Sequence, residues 1–465
     1  MNIKKVIFFG DSITYGQYID PKYIWTTIIT NNLNKKKDLI TFRNAVSGET
    51  SRQLLLRFSR DVQEIKPDIL TIQCGLNDCN YWQSDKGLPR VSKESYKANL
   101  NEMIDRAQVF NTKKIIFIGS HPVTKKIYGS KTLEESRREY NQIFKEVAQN
   151  RQITYIDIES QFNNIDEYLL DDGIHLSKKG HIKYAEIIEP YIRNLCKTNI
   201  LILGQNKLFE ESLLYLHENI DKIKNSFNFI VIPSSLSLKN IKSNKTSETI
   251  TSLLDNISLL ENKKNFTIIK KFYNICITNE CIKDLIKEFD IKILISIQYP
   301  RIISEEVLKV MNYQCFNLHN AKLPNYRGHN SLTHEIINND EFHTITIHRM
   351  AKIVDRGAII LEKNIKYENN DTAYSMYNKC IKKAKNMLVE LILKIKNKNI
   401  IDIPIKGKGK YYSINLEKKI PDNLTEEERF KYFRAFYFPG KTQCYEIING
   451  EKVYLNYSEH LINTK

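Results

Sequence analysis

Short apolar runs alternate with stretches of helical periodicity through the first 200 residues. Runs with the length and composition of strands lie at residues 6–9, 41–42, 69–73, 115–119 and 154–158. Between them apolar side chains recur at helical spacing, for example at Trp25, Ile29 and Leu33, and the last such segment covers residues 178–193. Because strands that alternate with helices build parallel sheets covered on both faces, the pattern predicts an open α/β domain.

The same alternation starts again after residue 199. Strand-like runs lie at residues 200–203, 229–232, 291–297, 316–318, 344–348 and 359–361, with shorter pieces at 410–413, 444–448 and 452–455. A helical pattern over residues 372–397 closes this second core, and the Ser-, Asn- and Lys-rich residues 233–264 predict a loop with a short helix. We therefore expect two open, three-layered, parallel-sheet α/β domains over residues 1–197 and 198–400, and a small β-rich subdomain over residues 401–465.

Composition and charge narrow the class of protein. The 465 residues are too many for one ordinary core, and 42% hydrophobic with 27% charged residues is typical of a globular protein. The net charge of +16 suggests an anionic partner, but basic and acidic residues are mixed along both halves, so nucleic acid is not an expected partner. The chain enters its first strand without a leader, has no apolar run of membrane-spanning length, and has eight cysteines without a Cys-x-x-Cys pair. These features predict a cytoplasmic protein with reduced thiols and no membrane span.

A serine stands where the first strand gives way to a helix. Gly10, Asp11 and Ser12 follow the apolar run at residues 6–9. In open α/β sheets this carboxyl edge binds ligands, and a serine at a helix start can present both its hydroxyl and its own N–H. Taken alone, the tripeptide is a weak signal that favours a structural helix cap, because Asp and Ser are preferred there.

Polar residues also follow other strands of the same predicted sheet, and together they favour a functional role for Ser12 over a purely structural one. Gly48 follows the second strand, Asn77 follows the third, and Asp172 with His175 follows the fifth. A hydroxyl becomes a nucleophile when an adjacent base removes its proton, and a tetrahedral oxyanion needs donors already in place. Each residue alone could be a turn glycine, a capping amide or a core histidine, but all of them in this order point to acyl chemistry.

The order and spacing of these blocks over residues 3–193 resemble the SGNH (GDSL) hydrolase family, whose fold is flavodoxin-like. The resemblance implies Ser12 as nucleophile, His175 as its base and Asp172 as the residue that orients the imidazole. It also implies an oxyanion hole made by the N–H groups of Ser12 and Gly48 and by the Asn77 amide. Members hydrolyse acyl esters or transfer acyl groups, and the sequence leaves that choice open.

A second set of polar residues lies in the second half. Asn317 and His319 sit two apart on one predicted strand and so share a face, and Asp355 follows the next strand. Metal binding is disfavoured because His and Asp supply only two good ligands, and residues 203–206 lack the glycine cradle of a dinucleotide site. Asn, His and Asp suit acyl transfer to an amine, in which Asn and a protonated His hold the oxyanion while the carboxylate favours the charged imidazole.

These residues resemble the formyltransferases that use 10-formyl-tetrahydrofolate, over about residues 199–397, a family with a Rossmann-like core. The family motif is Asn-x-His-x-Ser-Leu-Leu-Pro with a later Asp-x-Gly, and here Ala321 and Lys322 replace the Ser and the first Leu. The resemblance implies 10-formyl-tetrahydrofolate as co-substrate, no metal, and catalytic roles for Asn317, His319 and Asp355. It also implies a pterin-side loop that contains Tyr299, Arg301 and Ile302.

Within that family, residues 346–359 are similar to the domain that formylates UDP-4-amino-4-deoxy-arabinose. The resemblance implies an amino-sugar nucleotide as acceptor, alongside acyl-ester small molecules for the first domain, and it leaves a homodimer open. We expect the tail to be too short for the tRNA-binding barrel of methionyl-tRNA formyltransferases. A tRNA formyltransferase, a formyl-folate hydrolase and a non-catalytic binding module stay open as alternatives, and bacterial surface-glycan synthesis is the setting suggested by analogy.

Overall fold

The chain divides into two α/β units, Met1–Cys196 and Lys197–Lys465. The structure is a computed structural model that describes residues 4–33, 39–82, 86–125, 132–162, 164–223, 226–233, 266–268 and 277–454. The loop with a short helix predicted for residues 233–264 lies almost wholly outside the described residues. Each unit has its own core, and the boundary predicted after residue 197 stays a prediction.

The first unit is built on a five-stranded parallel sheet in the order β2-β1-β3-β4-β5. Its strands are β1 Lys4–Gly10, β2 Leu39–Ala45, β3 Ile69–Gln73, β4 Lys114–Ile118 and β5 Thr154–Ile156. The middle strands are buried on both faces, which explains why they read as continuous apolar runs rather than as alternating ones. All five strands run in one direction, so the loops after them meet at one edge of the sheet.

Six α-helices of the first unit are α1 Ser12–Tyr15, α2 Trp25–Leu33, α3 Ser51–Phe58, α4 Lys93–Val109, α5 Leu133–Asn150 and α6 Lys178–Cys196. Aromatic side chains fill the space between the helices and the sheet. The ring centroids of Phe8 and Trp25 lie 5.2 Å apart in a T-shaped contact, and those of Phe117 and Phe144 lie 4.2 Å apart in a stacked one. These contacts pack α2 and α5 against β1 and β4 near the carboxyl ends of those strands.

The second unit contains a seven-stranded sheet in the order β13-β12-β10-β9-β6-β7-β8. Its strands are β6 Thr198–Gly204, β7 Phe227–Pro233, β8 Phe266–Ile268, β9 Ile291–Ile297, β10 Cys315–His319, β12 Phe342–Arg349 and β13 Ile359–Lys366. Five strands are parallel as predicted, but β12 runs antiparallel to β10, and β13 runs antiparallel to β12. The nine residues between β12 and β13 form a loop with no crossover helix, so the chain can only return as an antiparallel neighbour.

Six helices accompany this sheet: α7 Asn206–Glu218, α8 Asn279–Glu288, α9 Glu305–Val310, α10 Ser331–Asn338, α11 Ala373–Ala384 and α12 Met387–Lys396. The single helix predicted over residues 372–397 is thus two helices. The predicted α/β fold class is confirmed for both units, with the antiparallel strands as a correction to an all-parallel sheet.

The described part of the tail contains one helix and three short strands, and one of these strands pairs with a strand outside the tail. The strand β11 Arg327–Gly328 pairs with β14 Tyr411–Tyr412, and β15 Tyr445–Ile448 pairs with β16 Glu451–Tyr454. The helix α13 Glu426–Phe436 was not predicted, and Phe433 and Phe436 bury it against the core of the second unit. The tail is therefore less β-rich than expected.

No helix in the described part of the chain is long and apolar enough to cross a membrane. The seven described cysteines are free thiols, and no cluster of three or more His, Cys, Asp or Glu side chains among the described residues could hold a metal ion.

Candidate active sites

Ser12 lies at the junction of β1 and α1, as the sequence predicts. It is 6% exposed, and it begins α1 immediately after Asp11, whose carboxylate accepts a hydrogen bond from the Ile13 N–H at 3.0 Å. Gly10 leaves no room for a side chain, because a Cβ there would lie 2.4 Å from Thr14 Oγ1. The tight turn directs the Ser12 hydroxyl out of the strand. Asp11 is the helix cap and Ser12 is the candidate nucleophile, so the two interpretations of this tripeptide apply to neighbouring residues and do not exclude each other.

His175 joins Ser12 to Asp172. Its Nε2 lies 3.0 Å from Ser12 Oγ, and its Nδ1 lies 2.5 Å from Asp172 Oδ2. Asp172 also accepts backbone N–H groups of Ile174 and His175 at 2.9 Å each. Burial opposes ionisation of Asp172, but these hydrogen bonds outweigh it and lower the pKa of the carboxyl below its ordinary value. An ionised Asp172 keeps the proton on Nδ1 and leaves Nε2 as the base facing the hydroxyl.

Gly48 and Asn77 lie in the loops after β2 and β3, on the same edge as Ser12. Gly48 has a φ of +79° with open space in front of it, a conformation that favours glycine. The Arg90 guanidinium donates to Gly48 O at 2.9 Å and to Asn77 Oδ1 at 3.4 Å. Because Arg90 takes the amide oxygen, Asn77 Nδ2 is the end left to donate, and it lies 3.5 Å from Asp11 Oδ2. The arrangement suits an oxyanion hole.

Several residues that support this site were not predicted. Arg57 donates to the Gly10 carbonyl at 3.1 Å, to the Asn44 carbonyl at 3.2 Å and to Glu49 at 2.6 Å. It thereby ties the ends of β1 and β2 to the loop of Gly48. The sequence does contain a feature that points to Arg57: it stands four residues before Asp61, at the helical spacing of an ion pair, and the two side chains form such a pair.

His121 supports the loop that carries Asp172 and His175. Its Nε2 donates to the Ile174 carbonyl at 2.8 Å, and its Nδ1 accepts from the Tyr184 hydroxyl at 2.7 Å. Burial lowers the pKa of His121 to about 4, so the ring is neutral and acts as a fixed spacer. Its position just after β4 was a signal available in the sequence.

Asp11 and Asp78 are buried carboxyls beside the same edge. Burial raises the pKa of Asp11 to about 7 and that of Asp78 to about 6. Asp78 accepts from the Ser51 N–H at 2.9 Å and fixes the start of α3.

In the second unit, Asn317 and His319 lie on β10 as predicted, and a second histidine joins them. The antiparallel register places His348 of β12 directly opposite Asn317, and Asn317 Nδ2 lies 3.3 Å from His348 Nε2. Non-consecutive strands had to be paired to foresee this contact, which is why His348 was missed. His348 Nδ1 donates to the Arg349 carbonyl at 2.7 Å.

Asp355 reaches this cluster from the loop between β12 and β13. Its Oδ1 lies 3.4 Å from His348 Nε2, and its Oδ2 lies 3.8 Å from His319 Nε2. Burial opposes ionisation, yet the two imidazoles and a 2.9 Å hydrogen bond from the Gly328 N–H hold the pKa of Asp355 well below its ordinary value. A Cβ on Gly357 would lie 1.9 Å from the Arg349 carbonyl, which explains why this loop requires a glycine.

His319 differs from the expectation of a charged ring. Its Nε2 donates to the Tyr326 carbonyl at 3.0 Å, so Nδ1 carries the lone pair of the neutral ring. Burial lowers the pKa of His319 and outweighs the attraction of Asp355. The resting imidazole is therefore a base, and Asp355 can stabilise it after it takes up a proton.

The two departures from the formyltransferase motif lie just after His319. Ala321 is fully buried against Tyr326 and Tyr412, and its carbonyl accepts the Thr346 hydroxyl at 2.8 Å. Lys322 is exposed. Neither departure displaces Asn317, His319 or Asp355 from one cluster.

Tyr299, Arg301 and Ile302 lie in the loop after β9, which is parallel to β10 and next to it. They line a cavity of about 160 Å³ together with residues at the start of α8. The Tyr299 hydroxyl donates to the Ile277 carbonyl at 3.1 Å, whereas Arg301 and Ile302 are exposed. The role of Tyr299, Arg301 and Ile302 in holding the cofactor stays a prediction.

A buried ion pair stabilises the second unit away from this cluster. His343 Nδ1 lies 2.6 Å from Glu335 Oε2, both side chains are fully buried, and the Tyr367 hydroxyl donates to the same oxygen at 2.8 Å. Burial opposes the charge on His343, but Cys380 and Glu335 outweigh it and raise its pKa to about 10. His343 Nε2 lies 3.2 Å from Oδ1 of Asn320, the residue that directly follows His319 in the chain.

Each α/β unit thus brings its candidate catalytic residues into one cluster, Ser12 with Asp172 and His175 in the first unit and Asn317 with His319 and Asp355 in the second. The family described as "GDSL-like Lipase/Acylhydrolase family" matches residues 8–182, and the family described as "Formyl transferase" matches residues 198–392. The chain therefore carries a GDSL-like lipase/acylhydrolase domain followed by a formyl transferase domain.

Curated relatives match the second domain. A GDP-perosamine N-formyltransferase of Brucella melitensis biotype 1 is 32% identical over 169 residues, which are 36% of this chain and 65% of the relative. A methionyl-tRNA formyltransferase of Rickettsia prowazekii is 28% identical over 188 residues, 38% of this chain and 61% of that protein. The chain thus spans less than two thirds of these relatives. A sugar N-formyltransferase structure from a Shewanella species is 21% identical, covers 56% of this chain and 96% of its own, and has a TM-score of 0.44.

Proposed function

We propose that the chain is a bifunctional enzyme. Its first domain cleaves or transfers an acyl group through Ser12, and its second transfers a formyl group from 10-formyl-tetrahydrofolate to the amine of a nucleotide-linked amino sugar. The proposal for the first domain is carried by His175, which contacts both Ser12 and Asp172. The proposal for the second is carried by the cluster of Asn317, His319 and Asp355. The cytosolic stage of surface-glycan synthesis is the proposed setting, on the family resemblance alone.

In the first domain, His175 Nε2 takes the proton as Ser12 Oγ attacks an acyl carbonyl carbon. Asp172 stabilises the imidazolium that forms, and the Asn77 amide with the Ser12 and Gly48 N–H groups stabilises the oxyanion. The protonated His175 then returns its proton to the leaving oxygen, nitrogen or sulfur. Water or another hydroxyl completes the cycle by attacking the acyl-enzyme with His175 again as base.

In the second domain, the residues present fit a formyl donor and an amine. Bound 10-formyl-tetrahydrofolate would supply a formyl group on an amide-like nitrogen, and Tyr299, Arg301 and Ile302 would hold its pterin side. The Asn317 amide can donate to the formyl oxygen as charge develops there. His319 Nδ1 can take the proton that the attacking amine loses, and ionised Asp355 stabilises the resulting imidazolium. As the bond between the formyl carbon and the donor nitrogen breaks, His319 can return that proton to the nitrogen, which leaves as tetrahydrofolate. His348 Nε2 lies 3.4 Å from the other carboxylate oxygen of Asp355.

The relative that is a GDP-perosamine N-formyltransferase supports a nucleotide-linked amino sugar as the acceptor. The relative that is a methionyl-tRNA formyltransferase supports the second candidate function, formylation of charged initiator tRNA. Incubation with 10-formyl-tetrahydrofolate and a panel of amino-sugar nucleotides, followed by mass spectrometry, should give a product heavier by one formyl group. Formate release without an amine would identify a formyl-folate hydrolase instead. Formylation of charged initiator tRNA, with a steep salt dependence, would identify the second candidate function.

The first activity can be tested independently. The wild type should turn over p-nitrophenyl acetate and react with a fluorophosphonate probe, whereas Ser12→Ala should lose both and keep formyl transfer. The exposed Ser160→Ala is the matched control and should behave as the wild type. Unchanged ester turnover in Ser12→Ala would remove Ser12 as nucleophile.

The two activities should also separate physically, because each cluster lies within its own unit. We expect residues 1–197, expressed alone, to keep esterase activity and residues 198–465 to keep formyl transfer. Folded halves that are inactive alone and active when mixed would point to a composite site.

A further inference from the structure

A lysine-rich segment of the tail, which we call the basic strap, covers residues 404–410. It contains Lys406, Lys408 and Lys410, separated by single glycines, and no acidic residue occurs between Asp402 and Glu417. All three lysines are exposed, and none forms an ion pair with a carboxylate in the described part of the chain. A typical protein surface mixes both signs of charge, so an unmixed stretch produces a local positive potential.

The basic strap is fixed to the loop that carries Asp355. Arg356 Nη1 donates to the carbonyls of Gly407 at 2.5 Å and Lys408 at 2.9 Å. A Cβ on Gly409, whose φ is +61°, would lie 1.9 Å from the Pro324 carbonyl, so the backbone packs directly on the loop after β10. The hydrogen bonds from Arg356 use backbone groups of the strap. The Lys410 ammonium lies 4.8 Å from the centroid of the Tyr412 ring, and those of Lys406 and Lys408 are on exposed side chains.

A second connection leads from the strap to the same carboxylate. The Arg327 N–H donates to the Lys410 carbonyl at 3.0 Å, and the next residue, Gly328, donates to Asp355 at 2.9 Å. Arg327 adds another cation, and its buried Nε has no hydrogen-bond partner in the described part of the chain. The positive charges of the strap and of Arg327 are thus carried by segments that hydrogen-bond to the loops of the candidate formyl-transfer cluster.

We infer that the basic strap binds the diphosphate of the nucleotide-linked acceptor. This inference rests on the proposed function of the second domain. Ammonium groups bind phosphate as compact point charges, and two linked phosphates offer several oxygens to several lysines. An acceptor held by its diphosphate at the strap would have its sugar amine directed toward the cluster of His319 and Asp355.

The test compares two triple variants of the full chain. Lys406→Gln, Lys408→Gln and Lys410→Gln together should raise KM for a nucleotide-linked amino sugar about tenfold, the effect of losing a few weak charge contacts. The kcat value and KM for 10-formyl-tetrahydrofolate should change less than about twofold, because the chemistry and the donor do not use the strap. The exposed Lys287→Gln, Lys382→Gln and Lys383→Gln on α8 and α11 form the matched control and should leave all three values unchanged.

Calorimetric titration with GDP, UDP and dTDP, without donor or acceptor, separates this inference from the proposed function. Binding to the wild type and the control variant but not to the strap variant supports the strap, even if no amino sugar is formylated. An unchanged KM in the strap variant overturns it, and so does a wild type that binds none of the three nucleotides. Loss of initiator-tRNA formylation in the strap variant, with nucleotide binding intact, overturns it in favour of RNA.

Discussion

Replacing Asn77 with alanine tests the proposed oxyanion hole of the first domain. Arg90 holds the amide oxygen, so Nδ2 is a donor already oriented before substrate arrives. Removing one such donor lowers kcat by roughly 10²–10³-fold, or about 3–4 kcal/mol of transition-state stabilisation. KM should change less than about threefold, because an uncharged ester carbonyl gains little from this donor.

The assay is steady-state hydrolysis of p-nitrophenyl acetate, with Ser12→Ala as the blank and the exposed Asn150→Ala as the matched control. Arg90→Gln should cause a smaller loss in kcat. That loss should shrink in an Asn77→Ala background, because no amide is left to orient. A raised KM with unchanged kcat for Asn77→Ala would assign Asn77 to ground-state binding and refute the reasoning.

Three further predictions concern charge. Asp172→Asn should lower esterase kcat by about 10³–10⁴-fold by disturbing the tautomer of His175, measured with the same ester, and a near-normal rate would contradict the triad. Because burial lowers the pKa of His319, its ring should act as a base throughout the neutral range. Formyl transfer should be flat from pH 8 to about pH 6.5, fall only at lower pH, and be lost in Asp355→Asn, and a fall above pH 7 would contradict a neutral resting ring. Glu335→Gln should destabilise the second unit by about 3–5 kcal/mol, because it breaks a fully buried pair. The raised pKa of His343 means that this contribution is complete below about pH 6.5 and is lost as the pH rises toward 10, so melting temperatures of variant and wild type should converge in alkali.

The parallel part of the fold follows from local patterns. The runs at residues 69–73 and 291–297 coincide with β3 and β9, because a buried parallel strand is apolar on both faces and stops at a polar turn. Strand direction is not local information, so the antiparallel β12 and β13 could not be read from apolar runs. The helix α13 was missed although Thr425 and Glu428 form a capping box, a signal that the sequence contains.

The residues of the candidate sites also fall into two groups, those that local sequence patterns reveal and those that depend on tertiary contacts. Ser12, Asp172 and His175 were found because each follows a strand at one edge, and topology alone brings such residues together. His348 and Arg57 act across elements that are distant in the chain, and their roles depend on pairing and packing. The charge state of His319 depends on burial, which no spacing of residues encodes.

The junction between the two domains has a consequence for the amounts of the two activities. The helix α6 ends at Cys196 and β6 begins at Thr198, so a single residue joins one complete domain to the next. Every ribosome that finishes this chain produces one copy of each candidate site, and no change in expression can alter that one-to-one ratio. If the two reactions belong to one biosynthetic route, their balance must be set by kcat, KM and substrate supply. A mutation that slows one site would then limit the rate of the whole route. Making more of the protein would restore that rate, but it would also produce more of the unaffected site than the route needs.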